Sequence, residues 1–132
     1  MAFYIDTSAL VKLVITERET DALRAWFAET DGVFVSSDLI RTELIRATRR
    51  VALDRVAHAR SVVESVTLLR MRSALFDAAA RLEPAELRSL DALHLATALD
   101  LGDDLQALVT YDVRLAEAAG AYGVTVVAPA AS

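Results

Sequence analysis

The sequence predicts an α/β fold of three layers, with a central, mostly parallel sheet covered by helices on both faces. Three observations predict it. Short apolar runs at residues 3–5, 33–35, 66–69, 107–110 and 125–127 alternate with longer amphipathic stretches. The runs are continuously apolar rather than alternating, as strands buried on both faces require. The chain has 132 residues, 55% of them hydrophobic, which suits one domain (1–132) with a substantial core.

Each element has a local justification. Residues 3–5 form a strand that ends at Asp6, and Thr7 or Ser8 caps a short helix through about Val14. A helix over 20–29 carries Leu23, Trp26 and Phe27 on one side, and Gly32 breaks it before the strand at 33–35. Ser37 or Asp38 caps a helix through Ile40, Leu44, Ala47 and Val51, and Asp54 caps the next, through Val56, Val62 and Val63. After the strand at 66–69, Ser73 starts a helix through Leu75, Phe76 and Ala79, and 82–88 is a connection containing Pro84. Ser89 caps a helix over 90–101 that Gly102 stops. Its leucines, at 93, 95, 99 and 101, point around most of its circumference, so it is expected to be largely buried. A strand at 107–110, a helix over 115–121 and a last strand at 125–127 complete the chain.

Composition excludes several kinds of chemistry. There is no cysteine, so disulfides, thiolate zinc sites and cysteine nucleophiles are ruled out, and a cytoplasmic location is expected. The first residues lack the basic start of a signal peptide, and no apolar run is long enough to cross a membrane. Lys12 is the only lysine, against thirteen arginines, which weakens mechanisms that need a lysine. The net charge of −5 argues against broad nucleic-acid binding through overall charge.

In a parallel sheet the ligand site lies beyond the carboxyl ends of the strands. Asp6 directly follows the first strand, and Asp112 stands two residues after Thr110. Glu43 borders the apolar stripe of its helix, and Asp91 lies in the first turn of the helix expected to be buried. Each acid has a plain alternative: Asp6 a turn residue, Asp91 a helix-start residue, Glu43 a partner of Arg46, Asp112 the initiator of a helix. If the four converge, two carboxylates about 4 Å apart repel by roughly 4 kcal/mol at an effective dielectric near 20. Such a cluster calls for cations, and hard oxygen ligands favour Mg²⁺ or Mn²⁺ over zinc. Two divalent ions would balance four carboxylates, activate water and orient a phosphodiester for hydrolysis.

The order Asp6-Thr7-Ser8-Ala9-Leu10-Val11 after an opening strand resembles the first motif of PIN-domain nucleases. The run from Asp91 to Leu99, Asp-Ala-Leu-His-Leu-Ala-Thr-Ala-Leu, is similar to their third motif. Leu108-Val109-Thr110-Tyr111-Asp112 looks like the fourth, and 37–43 fits the second. The resemblance covers essentially the whole chain, and its compact length resembles the VapC-type toxins of toxin–antitoxin pairs. It implies an Mg²⁺- or Mn²⁺-dependent endoribonuclease acting on structured RNA such as tRNA or ribosomal RNA. It also implies a cognate VapB-type antitoxin and a homodimer. Carried over by position, Asp6, Glu43, Asp91 and Asp112 are the metal-site acids, with Thr7, Ser8 and Thr110 as supporting hydroxyls. Many relatives carry a further acid three residues after the fourth position; Leu115 stands there in this chain.

Two other classes compete. An aspartyl-phosphate phosphotransferase would use Asp6 as nucleophile, but it usually needs an acid at position 8, where Ser8 stands, and a later lysine. A non-catalytic interaction module would keep only the fold. Among smaller signals, Arg46, Arg50 and Arg114 are candidate phosphate contacts, with a solvated helix face as the plainer account of the first two. His94, one turn after Asp91, is expected to be a hydrogen-bonded structural group. Trp26 and Phe27 supply apolar surface for the core or for a partner.

Overall fold

The computed structural model describes residues 1–131. Five strands, β1 (Ala2–Ile5), β2 (Val33–Ser37), β3 (Thr67–Leu69), β4 (Leu105–Val109) and β5 (Val126–Val127), form one sheet in the order β3-β2-β1-β4-β5. Every pairing is parallel. The seven helices are α1 (Thr7–Val14), α2 (Thr20–Glu29), α3 (Ile40–Val51), α4 (Val56–Ser65), α5 (Ser73–Ala80), α6 (Ser89–Leu99) and α7 (Val113–Ala121).

The two faces of β1 divide the core. Phe3 and Ile5 point to one side, where α1, α2, α3 and α4 contribute Leu10, Val14, Leu23, Ile40, Leu44 and Val62. Ala2 and Tyr4 point to the other, against Leu95 and Ala98 of α6 and Leu115 and Ala119 of α7. The central strand is therefore buried along its whole length. Each fully buried leucine contributes about 1.5–3 kcal/mol relative to exposure. Trp26 and Phe27 belong to this packing: Phe27 meets Phe34 with ring centroids 4.8 Å apart, and Trp26 meets Phe3 at 5.2 Å. Gly32, between α2 and β2, has a φ of +145°, and a Cβ there would stand 2.9 Å from the Phe3 ring, so both conformation and contact demand glycine.

Several boundaries differ from those read locally. Neither Thr7 nor Ser8 caps α1; Asp6 does, accepting a hydrogen bond from the Ala9 N–H at 3.1 Å. Thr7 and Ser8 instead occupy the first turn, and their hydroxyls turn to neighbouring side chains. Ser37 closes β2 and its hydroxyl accepts from the Leu39 N–H, while α3 begins at Ile40. Asp54 lies in a 3-10 turn, Leu53–Arg55, and makes no cap for α4. Ser89 is the first residue of α6 rather than its cap, and α6 ends at Leu99, before Gly102. Strand β4 starts two residues earlier than its apolar run, and Thr110 falls just beyond it. Helix α7 starts at Val113 because the Asp112 side chain accepts from the Leu115 N–H at 3.0 Å. Asp112 thus does initiate a helix, one of the plain roles open to it.

Candidate active site

The sheet register sets the site. Ile5 pairs with Val109, which brings the next residues, Asp6 and Thr110, side by side at the carboxyl edge. Asp6 is buried, at 3% exposure, and both its oxygens are taken. Oδ1 accepts from the Ser8 hydroxyl at 2.7 Å and from the Ala9 N–H, and Oδ2 accepts from the Thr110 hydroxyl at 2.6 Å. Burial pushes the Asp6 carboxyl above the ordinary carboxylate range, while the hydroxyls of Thr110 and Ser8 pull it back. The same two hydroxyl oxygens accept backbone N–H groups of the following loop, Tyr111 on Ser8 and Asp112 on Thr110. The Asp6 carboxylate and the loop carrying Asp112 are thereby fixed as one unit. Beyond β5, the chain is fastened to this loop by the Tyr111 hydroxyl, which donates to the Pro129 carbonyl at 2.6 Å.

Glu43 reaches the same edge from α3. Its Oε1 accepts from the Thr7 hydroxyl at 3.1 Å and lies 2.6 Å from His94 Nε2. On the far side of the ring, His94 Nδ1 lies 2.7 Å from the Tyr4 hydroxyl. Burial, followed by the charge of Asp6, raises the Tyr4 pKa far above the ordinary phenol value, so the phenol keeps its proton. A carboxylate can only accept, so His94 Nε2–H donates to Glu43. Tyr4, His94 and Glu43 form a chain of hydrogen bonds from the core to the site edge.

The third group is more open. Asp91, in the first turn of α6, has a 17% exposed side chain and lies 3.4 Å from Arg88 Nε. Arg88 Nη2 lies 3.3 Å from Asp112 Oδ2. Arg88 therefore bridges two carboxylates while its own side chain is 69% exposed. Burial and then the charge of Asp112 raise the Asp91 pKa, with Arg88 acting against them.

All four predicted acids stand at the carboxyl edge. Asp6 and Glu43 are joined through adjacent residues of α1, and Asp91 sits one turn before His94 on α6. Among the described residues, no group of three or more His, Asp or Glu side chains could hold a metal ion as it stands. Both oxygens of Asp6 and Oε1 of Glu43 are instead engaged by their own donors. The donor set itself, carboxylates and hydroxyls, suits a hard divalent cation.

His94 is hydrogen-bonded on both nitrogens, as expected of a structural histidine, and it also touches Glu43. Tyr4 and Arg88 were not legible as site residues. Strand alternation places Tyr4 on the α6 face, and the three-residue spacing of Arg88 from Asp91 is the one local trace of their contact.

The PIN domain family model matches residues 3–121, nearly the whole of this layered α/β domain. The chain belongs to the PIN-domain family. It is 44% identical over 128 residues to Ribonuclease VapC46 of Mycobacterium tuberculosis, covering 97% of this chain and 98% of that protein, which makes it a VapC-type member. Among solved structures, it resembles VapC20 of Mycobacterium tuberculosis, a Sarcin-Ricin loop cleaving toxin, with a TM-score of 0.78 and 20% identity. That match covers 96% of this chain and 99% of VapC20. A toxin–antitoxin complex from Klebsiella pneumoniae matches with a TM-score of 0.71 and 22% identity, over 98% of each chain. At these identities the two structures establish the shared fold.

Proposed function

We propose that the chain is a divalent-metal-dependent endoribonuclease, the toxin of a toxin–antitoxin pair. The observation that carries this reading is the convergence at one sheet edge of the buried Asp6, the His94-oriented Glu43 and the Asp91–Asp112 pair. Asp6, Glu43, Asp91 and Asp112 would hold Mg²⁺ or Mn²⁺. Bound there, the ion supplies Lewis acidity to a phosphodiester and lowers the pKa of water.

The chain's own residues prepare the site. Thr110 and Ser8 orient Asp6 without adding charge, so its negative charge stays available to a cation. Tyr4 and His94 hold the carboxylate of Glu43 at the edge. Arg88 screens Asp91 from Asp112, and its exposure lets it swing aside at little cost. The substrates proposed are structured RNAs, tRNA or ribosomal RNA, in the cytoplasm. No helix among the described residues is long and apolar enough to cross a membrane. The likeness to VapC46 and to a toxin–antitoxin complex supports a VapB-type antitoxin as partner, and a homodimer is proposed with it.

The test is cleavage of tRNA and ribosomal RNA by purified protein in Mg²⁺ or Mn²⁺. Cleavage that stops on chelation and is lost in a folded Asp6→Asn variant is the expected result. An Asp6→Asn protein that cuts as well as the wild type would overturn the assignment.

A further inference from the structure

The acids at the sheet edge would leave RNA repelled unless positive charge meets its backbone elsewhere. Residues 40–55, α3 and the turn after it, hold five arginines against two acids, in a chain whose net charge is −5. Two of the five are engaged: Arg41 pairs with Asp38, and Arg55 donates to the Val14 carbonyl. The other three, Arg46, Arg49 and Arg50, are exposed and line one surface recess of about 360 Å³ together with Leu53. Among the described residues none of the three makes an ion pair or a side-chain hydrogen bond, and no carboxylate lines the recess. The acids nearest in sequence, Glu43 and Asp54, are not paired with them: Glu43 faces His94 instead.

The negative end of the α3 dipole favours Arg49 and Arg50 in the last turn, but it does not account for Arg46 a turn earlier. Helix geometry relates the cluster to the site. At about 100° per residue, Arg50 returns to within about 20° of Glu43, and it lies about 10 Å further along the axis. Arg46 lies between them along the axis, about 60° round the helix from Glu43. At roughly 3.4 Å of rise per phosphate in a helical strand, that distance corresponds to about three nucleotides. Guanidinium forks bind phosphate oxygens in pairs, and a protein partner would more typically anchor in an apolar pocket, of which Leu53 alone is a poor example.

We propose that Arg46, Arg49 and Arg50 form a phosphate track that carries the RNA backbone away from the Glu43 side of the site. The track rests on the ribonuclease reading and assigns it a direction: α3 holds the flank of the substrate about three nucleotides from the cut.

The test is equilibrium binding of labelled single-stranded RNA in Mg²⁺, in an Asp6→Asn background that prevents turnover, across about 50 to about 200 mM salt. Three phosphate contacts predict that R46Q, R49Q and R50Q together reduce the slope of log affinity against log salt by about 2. RNA of about twelve nucleotides should lose roughly tenfold or more in affinity, and RNA of about four nucleotides much less. Lysine at the same three positions should restore the slope more fully than the affinity. All three positions are exposed on a helix, and circular dichroism checks that the fold is kept. An unchanged slope and affinity on the long RNA would overturn the track while wild-type cleavage left the ribonuclease reading intact. A poly-glutamate peptide that binds as tightly as RNA, with the same dependence on these arginines, would also overturn it and assign the patch to an acidic protein segment. Wild-type protein that neither binds nor cleaves RNA would bring down the ribonuclease reading and the track with it.

Discussion

The two flanks of the site hold their acids by opposite means. Around Asp6 and Glu43, hydroxyls, a backbone N–H and an imidazole (Ser8, Thr110, Thr7, the Ala9 N–H and His94) hold the carboxylates, Asp6 fully buried and Glu43 through Oε1. Around Asp91 and Asp112, one exposed guanidinium serves both carboxylates. Neutral donors fix a carboxylate while leaving its charge to attract a cation. A guanidinium fixes it by cancelling that charge, and in a solvent-exposed pair the bond is weak. The first flank is rigid and charged; the second is adjustable and partly neutralised.

Four substitutions would break or sharpen this contrast. The largest effect belongs to Asp6→Asn, expected to lower RNA cleavage by about 1000-fold, or roughly 4 kcal/mol of barrier. Next is Tyr4→Phe, which keeps the packing but leaves His94 Nδ1 without its hydrogen-bond partner. It should cost about 1 kcal/mol of stability in a denaturant titration. Its loosened hold on Glu43 should lower activity by roughly tenfold, within the range for residues that orient metal ligands. Asp112→Asn should reduce activity by less than Asp6→Asn does, because the side-chain amide oxygen of the variant still caps α7 and Asp91 remains. Equal losses from the two would erase the distinction between the flanks. Arg88→Ala is the mildest. It should change stability by under about 0.5 kcal/mol and lower the Mg²⁺ concentration needed for half-maximal cleavage, since a competing cation is gone.

The rigid flank also has a pH signature. The Asp6 carboxyl is raised above its unfolded value by burial, so the folded protein binds this proton more readily than the unfolded chain. The Asp6 contribution therefore favours folding more as pH falls from neutrality towards the carboxylate range. Thermal melts of wild type and Asp6→Asn across that range should show the slope shrinking in the variant.

Continuous apolar runs made the layered sheet legible, because a strand with both faces covered has no other pattern open to it. The buried helix around Leu95 and the place of Asp6 after β1 followed from the same logic. The caps were less legible. Thr7, Ser8 and Asp6 are all good N-cap residues, and only partners remote in sequence, Thr110 and Glu43, decide which one stays for the helix. Tyr4 and Arg88 were hidden for a related reason. Their contacts to His94 and Asp112 join residues remote in sequence, and local spacing does not carry those distances.

Strand β1 is buried on both faces, and Asp6 hangs from its last residue. The edge that gathers the carboxylates is thus an extension of the molecule's innermost element rather than a decoration on a loop. If expression of the chain arrests growth, escape mutants should arise as readily at Tyr4, Ile5 and Leu10 as at the acids themselves. Toxicity would then serve as a genetic readout of core integrity.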